Sequence, residues 1–498
     1  MNPQMSTTQT HHSNLTLVID QGSHASRVAI FDDTGKLIYL KIKDVATQSS
    51  APKNAEQKVE QDAHEILDSI QNLLKEIPPT LSQHIQCGGL CTQRSTIVAW
   101  HKSTGQALAP AISWRDTRAQ TLINKLQPFS EEVKHISGLP LSAHYAASKM
   151  HWLIRNNAEV QHAAAEKQLC IAPLASFLLF HLLKEQPFII DHSNAQRCQL
   201  FDIQSLNWSS TLLDLFEIPR NTLPECAPIM HNYGKLKFNN IALNCVCGDQ
   251  NAALHAYPPL QKNNALVNIG TGAFILSAAN ERKNQPQTLI KTLCRSDAQH
   301  INFVTEGTVN SAGSALTWAQ QNQPCTDLFE QLPHWLAQIT SPPVFINSIL
   351  NLGSPWWCDA GEPEFITPEF SNTKTPSQSE QYVAIIESIV FLIFNNIQQL
   401  SAPPETIFIS GGLSILDGLC QKLADLSQAN VLRFTEAEST ARGCAWLACQ
   451  TLKSASKSWQ VLPVSQQFIS HKNTLKQTRI VDRYQQFVGE LNRRCNKY

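Results

Sequence analysis

A strand–glycine turn–strand pattern occurs twice in this chain of 498 residues, and the repeat limits the available folds more than any other property. The first copy begins near Leu15 with LTLVID, passes through Gln-Gly-Ser and resumes as RVAIF. The second copy, over residues 265–278, is ALVNIGTGAFILSA. Apolar runs around a glycine turn are typical of β-hairpins. One hairpin in each half predicts a duplicated domain, with its joint near residues 255–262 in the turn-rich AYPPLQKNN.

Helical patterns alternate with the strands. In EQDAHEILDSIQNLLKEI, apolar residues such as Ile66, Ile70 and Leu73 recur at helical spacing. Alternating strands and helices predict an α/β fold. Near the C-terminus, RIVDRYQQFVGEL has one apolar helical face, and we expect this helix to dock on the body of the protein. That face comprises Ile480, Val481, Tyr484, Phe487, Val488 and Leu491.

Length, charge and hydropathy exclude several classes of protein. The chain is long enough for two large domains. Its formal net charge is −1 and no basic stripe is present, which argues against a nucleic-acid or membrane partner. The opening MNPQMSTTQTHHSN lacks the apolar core of a signal peptide, and IVFLIFNNI is predicted to be a buried helix. We therefore expect a cytoplasmic protein.

The fourteen cysteines are scattered along the chain. Cys87 and Cys91 are four positions apart and Cys245 and Cys247 are two apart, and neither spacing is that of a zinc site. Without a secretion signal, the simplest interpretation is reduced, partly buried thiols with a structural role.

The first hairpin carries residue types that suit phosphate and magnesium. A glycine turn lets backbone N–H groups approach phosphate oxygens. Asp20 at the strand end can orient Mg²⁺ and its waters, and Arg27 can meet a phosphate charge. An ordinary turn remains the alternative, because such residues dominate turns in general.

The second hairpin, from Asn268 to Gly272, is equally ordinary alone, but two at duplicated-domain spacing favour phosphate binding. Other phosphate and nucleophile motifs are absent. The chain has no G-x-x-x-x-G-K-[ST], no G-x-G-x-x-G after a strand and no G-x-S-x-G. These absences exclude a P-loop and leave a Rossmann site and a nucleophile elbow without support.

A carboxylate follows another apolar strand in CVCGDQNAALHAY, at residues 245–257. Asp249 stands between a glycine and an alanine-rich helix, where it can be exposed and accept a hydroxyl proton. The alternative is a helix N-cap, a position that aspartate favours. Upstream, the segment over residues 91–119 contains Arg94 and Trp114.

These segments together resemble the FGGY family of carbohydrate kinases, and within it the glycerol kinases most. The resemblance covers about residues 15–450 in collinear order. It is carried by LVIDQGSHASR, TQR…AISWRDTRA, SGLPLSAHYAASKMHWL, DHSNAQRCQLFDIQSLNW, LFEIPRNTLPE, CGDQNAALHA, VNIGTGAF, EGTVNSAGSALTW, LGSPWW, ISGGLS and ESTARGCAWLA. The GDQ segment is the version found in glycerol kinases.

The resemblance implies an α/β fold of two actin-like (ribonuclease H-like) ATPase domains with ATP in an interdomain cleft. The corresponding division is a disordered tail (1–14), an N-terminal domain for the acceptor and the phosphate and magnesium side (15–258), a C-terminal nucleotide domain (259–452) and an extension with a docking helix (453–498). Small polyols or sugars are the implied partners, and a homo-oligomer is compatible with the family.

The resemblance also implies roles for individual residues. Asp249 would be the general base, and Asp20 would hold Mg²⁺ through water. The nucleotide-binding residues would be Ser23, Arg27, Thr271, Gly272, Gly313, Gly411 and Gly412. The residues matching the glycerol pocket are Arg94, Trp114, Gln250 and Phe274.

Two acceptor positions depart from the glycerol kinases. Ser95 stands where they have a glutamate that binds polyol hydroxyls, and His144 stands where they have a tyrosine. Loss of a charged hydrogen bond costs about 1.5–3 kcal/mol, so glycerol is expected to bind less well. The sequence thus predicts an ATP- and Mg²⁺-dependent kinase for a hydroxyl of a small polyol or sugar. The alternatives are a catalytically weak relative that binds sugar or nucleotide as a regulatory protein, and an actin-like ATPase, which the pocket residues oppose.

Overall fold

The computed structural model describes residues 14–50, 57–279, 288–366, 376–435, 438–452, 459–471 and 475–495. The predicted tail therefore lies outside the described residues, apart from Asn14. The chain divides into two compact units. The first unit comprises Met1–Pro258, Leu293–Asn302 and Glu438–Val461, and the second comprises Pro259–Thr292, Phe303–Ala437 and Leu462–Tyr498.

The described residues form short strands throughout the chain. The strands up to residue 248 are β1 (Leu15–Gln21), β2 (Ala25–Phe31), β3 (Leu37–Asp44), β4 (Gln48–Ser49), β5 (Val59–Gln61), β6 (Ile85–Thr92), β7 (Ile97–His101), β8 (Ala111–Ile112), β9 (Leu169–Pro173), β10 (Ile189–Asp191), β11 (Phe201–Asp202), β12 (Asn207–Trp208), β13 (Glu225–Ala227) and β14 (Leu243–Gly248). The later strands are β15 (Asn264–Ile269), β16 (Ala273–Ala278), β17 (Ile290–Ser296), β18 (Ile301–Val309), β19 (Val344–Ile346), β20 (Glu364–Ile366), β21 (Thr406–Ser410), β22 (Asn430–Phe434) and β23 (Val464–Phe468).

Helices alternate with these strands, as the sequence pattern predicts. The α-helices are α1 (Ala63–Lys75), α2 (Pro79–Ser82), α3 (Gln120–Leu126), α4 (Ser130–Ser137), α5 (Ala146–Asn156), α6 (Ala158–Ala165), α7 (Leu174–Leu182), α8 (His192–Gln196), α9 (Ser210–Leu215), α10 (Asp249–Ala253), α11 (Gly313–Asn322), α12 (Leu328–Gln338), α13 (Gln378–Gln398), α14 (Asp417–Ser427), α15 (Ser439–Cys449) and α16 (Leu475–Cys495). Short 3₁₀ helices cover Gln127–Phe129, Arg220–Thr222, Leu254–Ala256 and Gly412–Ile415.

The main sheet of the first unit has the strand order β14-β6-β1-β2-β3. β1, β2 and β3 pair antiparallel, whereas β6 and β14 run parallel to β1. The hairpin turn between β2 and β3 is held by Asp32, whose carboxylate accepts from the N–H of Thr34 at 2.9 Å. Gly35 in that turn has a φ of 81°, a value that favours glycine. A second sheet, β4-β5-β8-β7-β9, belongs to the same unit.

The sheet of the second unit repeats this arrangement around the second hairpin. Its order is β17-β18-β16-β15-β21-β22-β23. β15, β16 and β18 pair antiparallel, and β21 and β22 run parallel to β15. The central five strands therefore reproduce the order of the first sheet, with β17 and β23 added at the edges. This shared order is the structural counterpart of the repeated strand–turn–strand pattern.

Helix α13 is the central helix of the second unit. It starts with a capping box in which Ser377 and Glu380 exchange hydrogen bonds. Its apolar residues pack against β15, β16 and β21 strand residues in one core. Among the described helices, α13 has the length and hydropathy that a bilayer span requires, and 94% of that apolar window is buried inside the protein. The predicted burial of IVFLIFNNI is thus confirmed.

Helix α15 packs in the first unit, against strands that are distant from it in sequence. It lies against α10 and against β1, β6 and β14. The close approach requires glycine at position 443, because a Cβ there would lie only 1.8 Å from the carbonyl oxygen of Ala252 and would clash with it. Arg442 donates hydrogen bonds to the carbonyl oxygens of Gly35 at 3.2 Å and Ala256 at 2.8 Å. Local sequence has no signal for this long-range return of the chain.

Helix α16 docks on the second unit through its apolar face. Ile480, Phe487 and Leu491 are buried in the same core as α13. A buried ion pair adds to this contact, since Arg483 and the α13 residue Glu387 lie 2.7 Å apart. The helix is therefore part of the folded body rather than a free tail.

A disulfide joins Cys358 to Cys495 at the end of α16, with 6.2 Å between the two Cα atoms. The expectation that all cysteines are reduced is wrong for this pair. The pairing spans 137 residues, so spacing along the chain could not predict it. The other twelve cysteines are free.

We expect Phe487→Ala to lower the stability of the second unit by about 3–5 kcal/mol, because it removes a fully buried ring and leaves a cavity. Gln486→Ala, at the exposed neighbouring position, should change stability by less than about 0.5 kcal/mol. Urea unfolding followed by circular dichroism measures both. Equal midpoints for the two variants would show that α16 does not contribute to the core.

Candidate active site

Three parallel strands of the first unit end at the same edge of the sheet. Asp20 of β1 is paired with Cys91 of β6, and Gly248 of β14 is paired with Thr92. The residues that follow these pairs, Arg94 after β6 and Asp249 after β14, therefore leave the sheet beside Asp20. Carboxyl ends of parallel strands are a common place for polar groups to converge in α/β proteins.

The first glycine turn connects β1 to β2 at this edge. The N–H of Gly22 donates to the carbonyl of Ala25 at 3.0 Å, which closes the turn. The Ser23 hydroxyl accepts from the indole N–H of Trp114 at 2.9 Å. Arg27, on β2, lies 3.7 Å from the Asp20 carboxylate. The turn therefore brings a hydroxyl, a cation and a carboxylate together.

Asp20 is buried, and burial raises its pKa to about 7. Arg27 opposes this shift, while the carboxylates of Asp249 and Glu438 raise the pKa further. Three carboxylates in one weakly solvated region repel one another, so the site suits a bound cation.

Asp249 is the first residue of α10, and the N-cap is Gly248. The N-cap interpretation of Asp249 is therefore wrong. Its carboxylate is 23% exposed and lies 3.7 Å from Nε of Arg94. One oxygen accepts from the N–H of Gln250 at 2.7 Å. The guanidinium also donates to Asn251 at 3.3 Å, so Arg94 is oriented by two residues of α10.

Ser95 is fully buried and has a φ of 62°, which is uncommon for a non-glycine residue. Its hydroxyl donates to the carbonyl of Arg197 at 3.2 Å. The Ser95 side chain is thus engaged with the backbone, and it supplies no carboxylate at this position.

The His144 ring lies 5.3 Å from the Trp114 ring, measured between centroids. Its pKa is well below the usual value because of burial, and the cations Lys149, Arg197 and Arg94 lower it further. His144 is therefore neutral at physiological pH. Nζ of Lys149 donates to the His144 carbonyl at 2.6 Å and positions this segment.

Gln250 and Phe274 differ in location. The side-chain oxygen of Gln250 is buried and has no hydrogen-bond partner in the described part of the chain. Phe274 lies in the second unit, on β16, where it is paired with Asn268 and Thr308. The structure thus groups five of the six predicted acceptor residues in the first unit.

The second glycine turn connects β15 to β16 in the second unit. A Cβ on Gly272 would lie 2.7 Å from the carbonyl of Val309, and one on Gly313 would lie 2.7 Å from that of Gly270. The Thr271 carbonyl accepts the N–H of Ser314 at 3.0 Å, and the Thr271 side chain is exposed. The turn and the start of α11 are therefore joined by a backbone hydrogen bond and close packing, and the Thr271 hydroxyl lies at the surface.

A third glycine segment follows β21 in the same unit. Gly411 has a φ of 89°, and a Cβ there would lie 2.5 Å from the carbonyl of Ile269. A Cβ on Gly412 would have no atom within 4 Å. Gly411 is thus required by the backbone, whereas Gly412 leaves open space beside the chain.

Several residues near the site were not identified from the sequence. Glu438 lies 3.6 Å from Arg27, and Asn251 contacts Arg94. Lys149 and Arg197 lie near His144. Asn251 lies two positions after Asp249, and this proximity in sequence was a signal for it. The sequence had no such signal for Glu438, because Glu438 is far from Arg27 along the chain.

In protein free of nucleotide and Mg²⁺, we expect Asp20→Asn to raise the free energy of unfolding above that of wild type. The difference between variant and wild type should grow with pH. The folded pKa of Asp20 is about 7 against 3.8 for an unperturbed aspartate, so the favourable contribution of the protonated group is fully present below 3.8 and is lost as pH rises to about 7. The margin should rise by up to about 1.4 kcal/mol per pH unit in that window and then level off.

Denaturant unfolding at several pH values measures this margin. Asp20→Glu, which keeps an ionisable carboxyl group, should retain the wild-type pH dependence. A margin for Asp20→Asn that stays constant with pH would contradict the raised pKa.

Comparison with known proteins agrees with this geometry. Residues 15–245 match the N-terminal domain of the FGGY family of carbohydrate kinases, and residues 265–452 match its C-terminal domain. The glycerol kinase of Parabacteroides distasonis is 28% identical over 449 residues, covering 87% of this chain and 88% of that protein. The glycerol kinase of Acinetobacter baylyi is 29% identical over 467 residues, covering 89% and 93%.

Solved structures confirm the fold of two actin-like, ribonuclease H-like domains. Plasmodium falciparum glycerol kinase with ADP has a TM-score of 0.82 at 23% identity, covering 96% of this chain and 98% of that one. Gluconate kinase from Lactobacillus acidophilus has a TM-score of 0.81 at 18% identity, covering 97% and 99%. With both of its domains matched, the chain belongs to the FGGY family of carbohydrate kinases, enzymes that transfer a phosphoryl group to an alcohol.

Proposed function

We propose that the protein uses ATP to phosphorylate a hydroxyl of a small polyol or sugar in the cytoplasm, with Asp249 as the general base. The observation that carries the proposal is the position of Asp249 at the start of α10, partly exposed and beside Arg94. A carboxylate held in this way can accept the proton of an acceptor hydroxyl as the phosphoryl group is transferred. Glycerol kinases among the relatives support the acceptor class.

Asp20 is the proposed magnesium residue. Its carboxylate is buried near the carboxylates of Asp249 and Glu438, and this donor set suits a hard divalent cation. When bound, Mg²⁺ would neutralise charge on the transferred phosphoryl group. Arg27 would hold the Asp20 carboxylate and could also meet a phosphate oxygen.

Both glycine turns are proposed to contact the nucleotide. In the first unit the N–H groups and hydroxyl near Ser23 would donate to phosphate oxygens. In the second unit the exposed Thr271 hydroxyl and the backbone at Gly272, Gly313, Gly411 and Gly412 would do the same, because these glycines allow close approach.

The acceptor residues determine which alcohol is bound. Trp114 supplies an apolar wall and, through its hydrogen bond to Ser23, connects the acceptor residues to the phosphate turn. The buried Gln250 oxygen can accept from a substrate hydroxyl, and neutral His144 can donate or accept. Ser95 offers no carboxylate, and we therefore propose that a polyol or ketose other than glycerol is the better acceptor. Phe274 is proposed as a further apolar contact.

Turnover should first be measured by ADP release with glycerol, erythritol, xylitol, dihydroxyacetone, erythrulose, ribulose and xylulose. With the best acceptor, Asp249→Asn should lower kcat by about 10²–10⁴-fold because the base is lost. ATP binding, measured by calorimetry, should be retained. Asp68→Asn, on the exposed face of α1, should keep wild-type activity.

The outcomes separate the two candidate functions. Full activity of Asp249→Asn would reject the assigned base. Wild-type protein that binds nucleotide or sugar but turns over none of these acceptors would favour the catalytically weak relative with a regulatory role.

Arg94→Met should lower kcat/KM for the acceptor by about 10–150-fold, the equivalent of losing a charged hydrogen bond of about 1.5–3 kcal/mol. Methionine keeps the apolar stem that packs on Gly248. The dissociation constant of ATP should stay close to wild type. The matched control is Arg155→Met, an exposed arginine in the same unit. An equal loss of acceptor and ATP affinity would indicate a general distortion of the site instead.

A further inference from the structure

Thiols gather on one face of the main sheet of the first unit. Cys245 and Cys247 are two residues apart on β14, so both side chains lie on the same face. On the neighbouring strand β6, Cys91 is paired with Cys247 and Gly89 is paired with Cys245. Because side chains alternate along a strand, Cys91 and the space above Gly89 belong to that same face.

Helix α15 covers this face and adds a further thiol. A Cβ on Gly89 would lie 2.6 Å from Sγ of Cys444, so the glycine makes the room that the Cys444 thiol occupies. The sulfur atoms of Cys245, Cys247 and Cys444 all lie within 4.8 Å of one another. Cys91, paired with Cys247 on the adjacent strand, places a fourth thiol on this face. We name Cys91, Cys245, Cys247 and Cys444 the thiol cluster.

All four residues of the thiol cluster are fully buried. Buried cysteines often serve as small apolar residues, and that role needs no convergence of their sulfur atoms. In the thiol cluster the sulfur atoms converge as well as being buried, which points to a ligand. Four sulfurs around a tetrahedral Zn²⁺ with Zn–S bonds of about 2.3 Å would be about 3.8 Å apart. The sulfur–sulfur distances among Cys245, Cys247 and Cys444 are at most 4.8 Å, so each needs to shorten by no more than about 1 Å to reach that geometry.

The chemistry of the cluster agrees with its geometry. A thiolate buried without a cation is costly, and thiolates are the ligands that Zn²⁺ prefers in structural sites.

We propose that Cys91, Cys245, Cys247 and Cys444 bind one Zn²⁺ ion as a structural site. Each ligating thiol releases its proton to solvent when its sulfur bonds to the metal. The ion would connect α15 to β6 and β14, the strands that Arg94 and Asp249 follow. The spacing rule applied to the sequence missed this set, because its members come from three separate segments.

Metal content of the full-length protein provides the test. Purified from zinc-sufficient medium, it should hold one Zn²⁺ per chain by mass spectrometry. Because the thiols are buried, exchange requires unfolding in denaturant with a chelator and a reductant, followed by refolding with Co²⁺. The refolded protein should show a thiolate-to-cobalt charge-transfer band and the visible bands of tetrahedral Co²⁺.

Cys245→Ala and Cys444→Ala should each remove these bands and weaken Zn²⁺ binding by about 100-fold or more, since loss of even an outer-shell partner costs up to that factor. Cys170→Ala and Cys198→Ala are the matched controls, because both residues are buried free cysteines outside the thiol cluster. They should keep the cobalt spectrum. These readouts do not depend on kinase activity.

Three results would overturn the proposal. The first is wild-type protein without Zn²⁺ as purified and without cobalt bands after refolding. The second is an intact cobalt spectrum in the Cys245→Ala, Cys444→Ala double variant. The third is a disulfide within the thiol cluster in place of a metal, detected as a mass loss of two hydrogen atoms. If a variant fails to fold, the wild-type cobalt spectrum still decides.

Discussion

The parallel pairing of β1, β6 and β14 holds the charged groups of the first unit side by side. Its register aligns Asp20 with Cys91, and Thr92 with Gly248, so the residues that follow emerge at one edge of the sheet. Asp249 raises the pKa of Asp20 across this edge. A shift of one residue in either pairing would turn these side chains to the opposite face and separate the charges.

The same edge depends on a helix from the far end of the chain. α15 packs on β1, β6 and β14, and the backbone contact between Gly443 and Ala252 brings it against α10, which begins with Asp249. Arg442 anchors the helix through three carbonyl oxygens, those of Gly35, Ala256 and Gln460. The support of the proposed base thus comes in part from residues that are distant from it in sequence. A Zn²⁺ ion in the thiol cluster would strengthen this same contact.

Local patterns in the sequence predicted the elements well. The two glycine hairpins, the apolar helix IVFLIFNNI and the docking face that includes Phe487 and Leu491 all rest on periodicity, which a short segment carries by itself. Three contacts between distant segments were not predicted. Cys358 and Cys495 form a disulfide, α15 packs against strands of the first unit, and the thiol cluster assembles from β6, β14 and α15. Each of these contacts joins residues that are far apart in sequence, so no local pattern predicts it.

The candidate site divides in the same way. Residue types and their order along the chain were enough to identify the family and to single out Asp20, Arg94 and Asp249, because hairpin turns and strand ends are local features with recognisable chemistry. Tertiary structure alone decided the environment of each group: the burial that raises the pKa of Asp20, the cations that keep His144 neutral, and the backbone contact that occupies Ser95. The physical reason is that solvation and charge–charge interactions depend on distance in space, and the sequence specifies those distances only after the chain has folded.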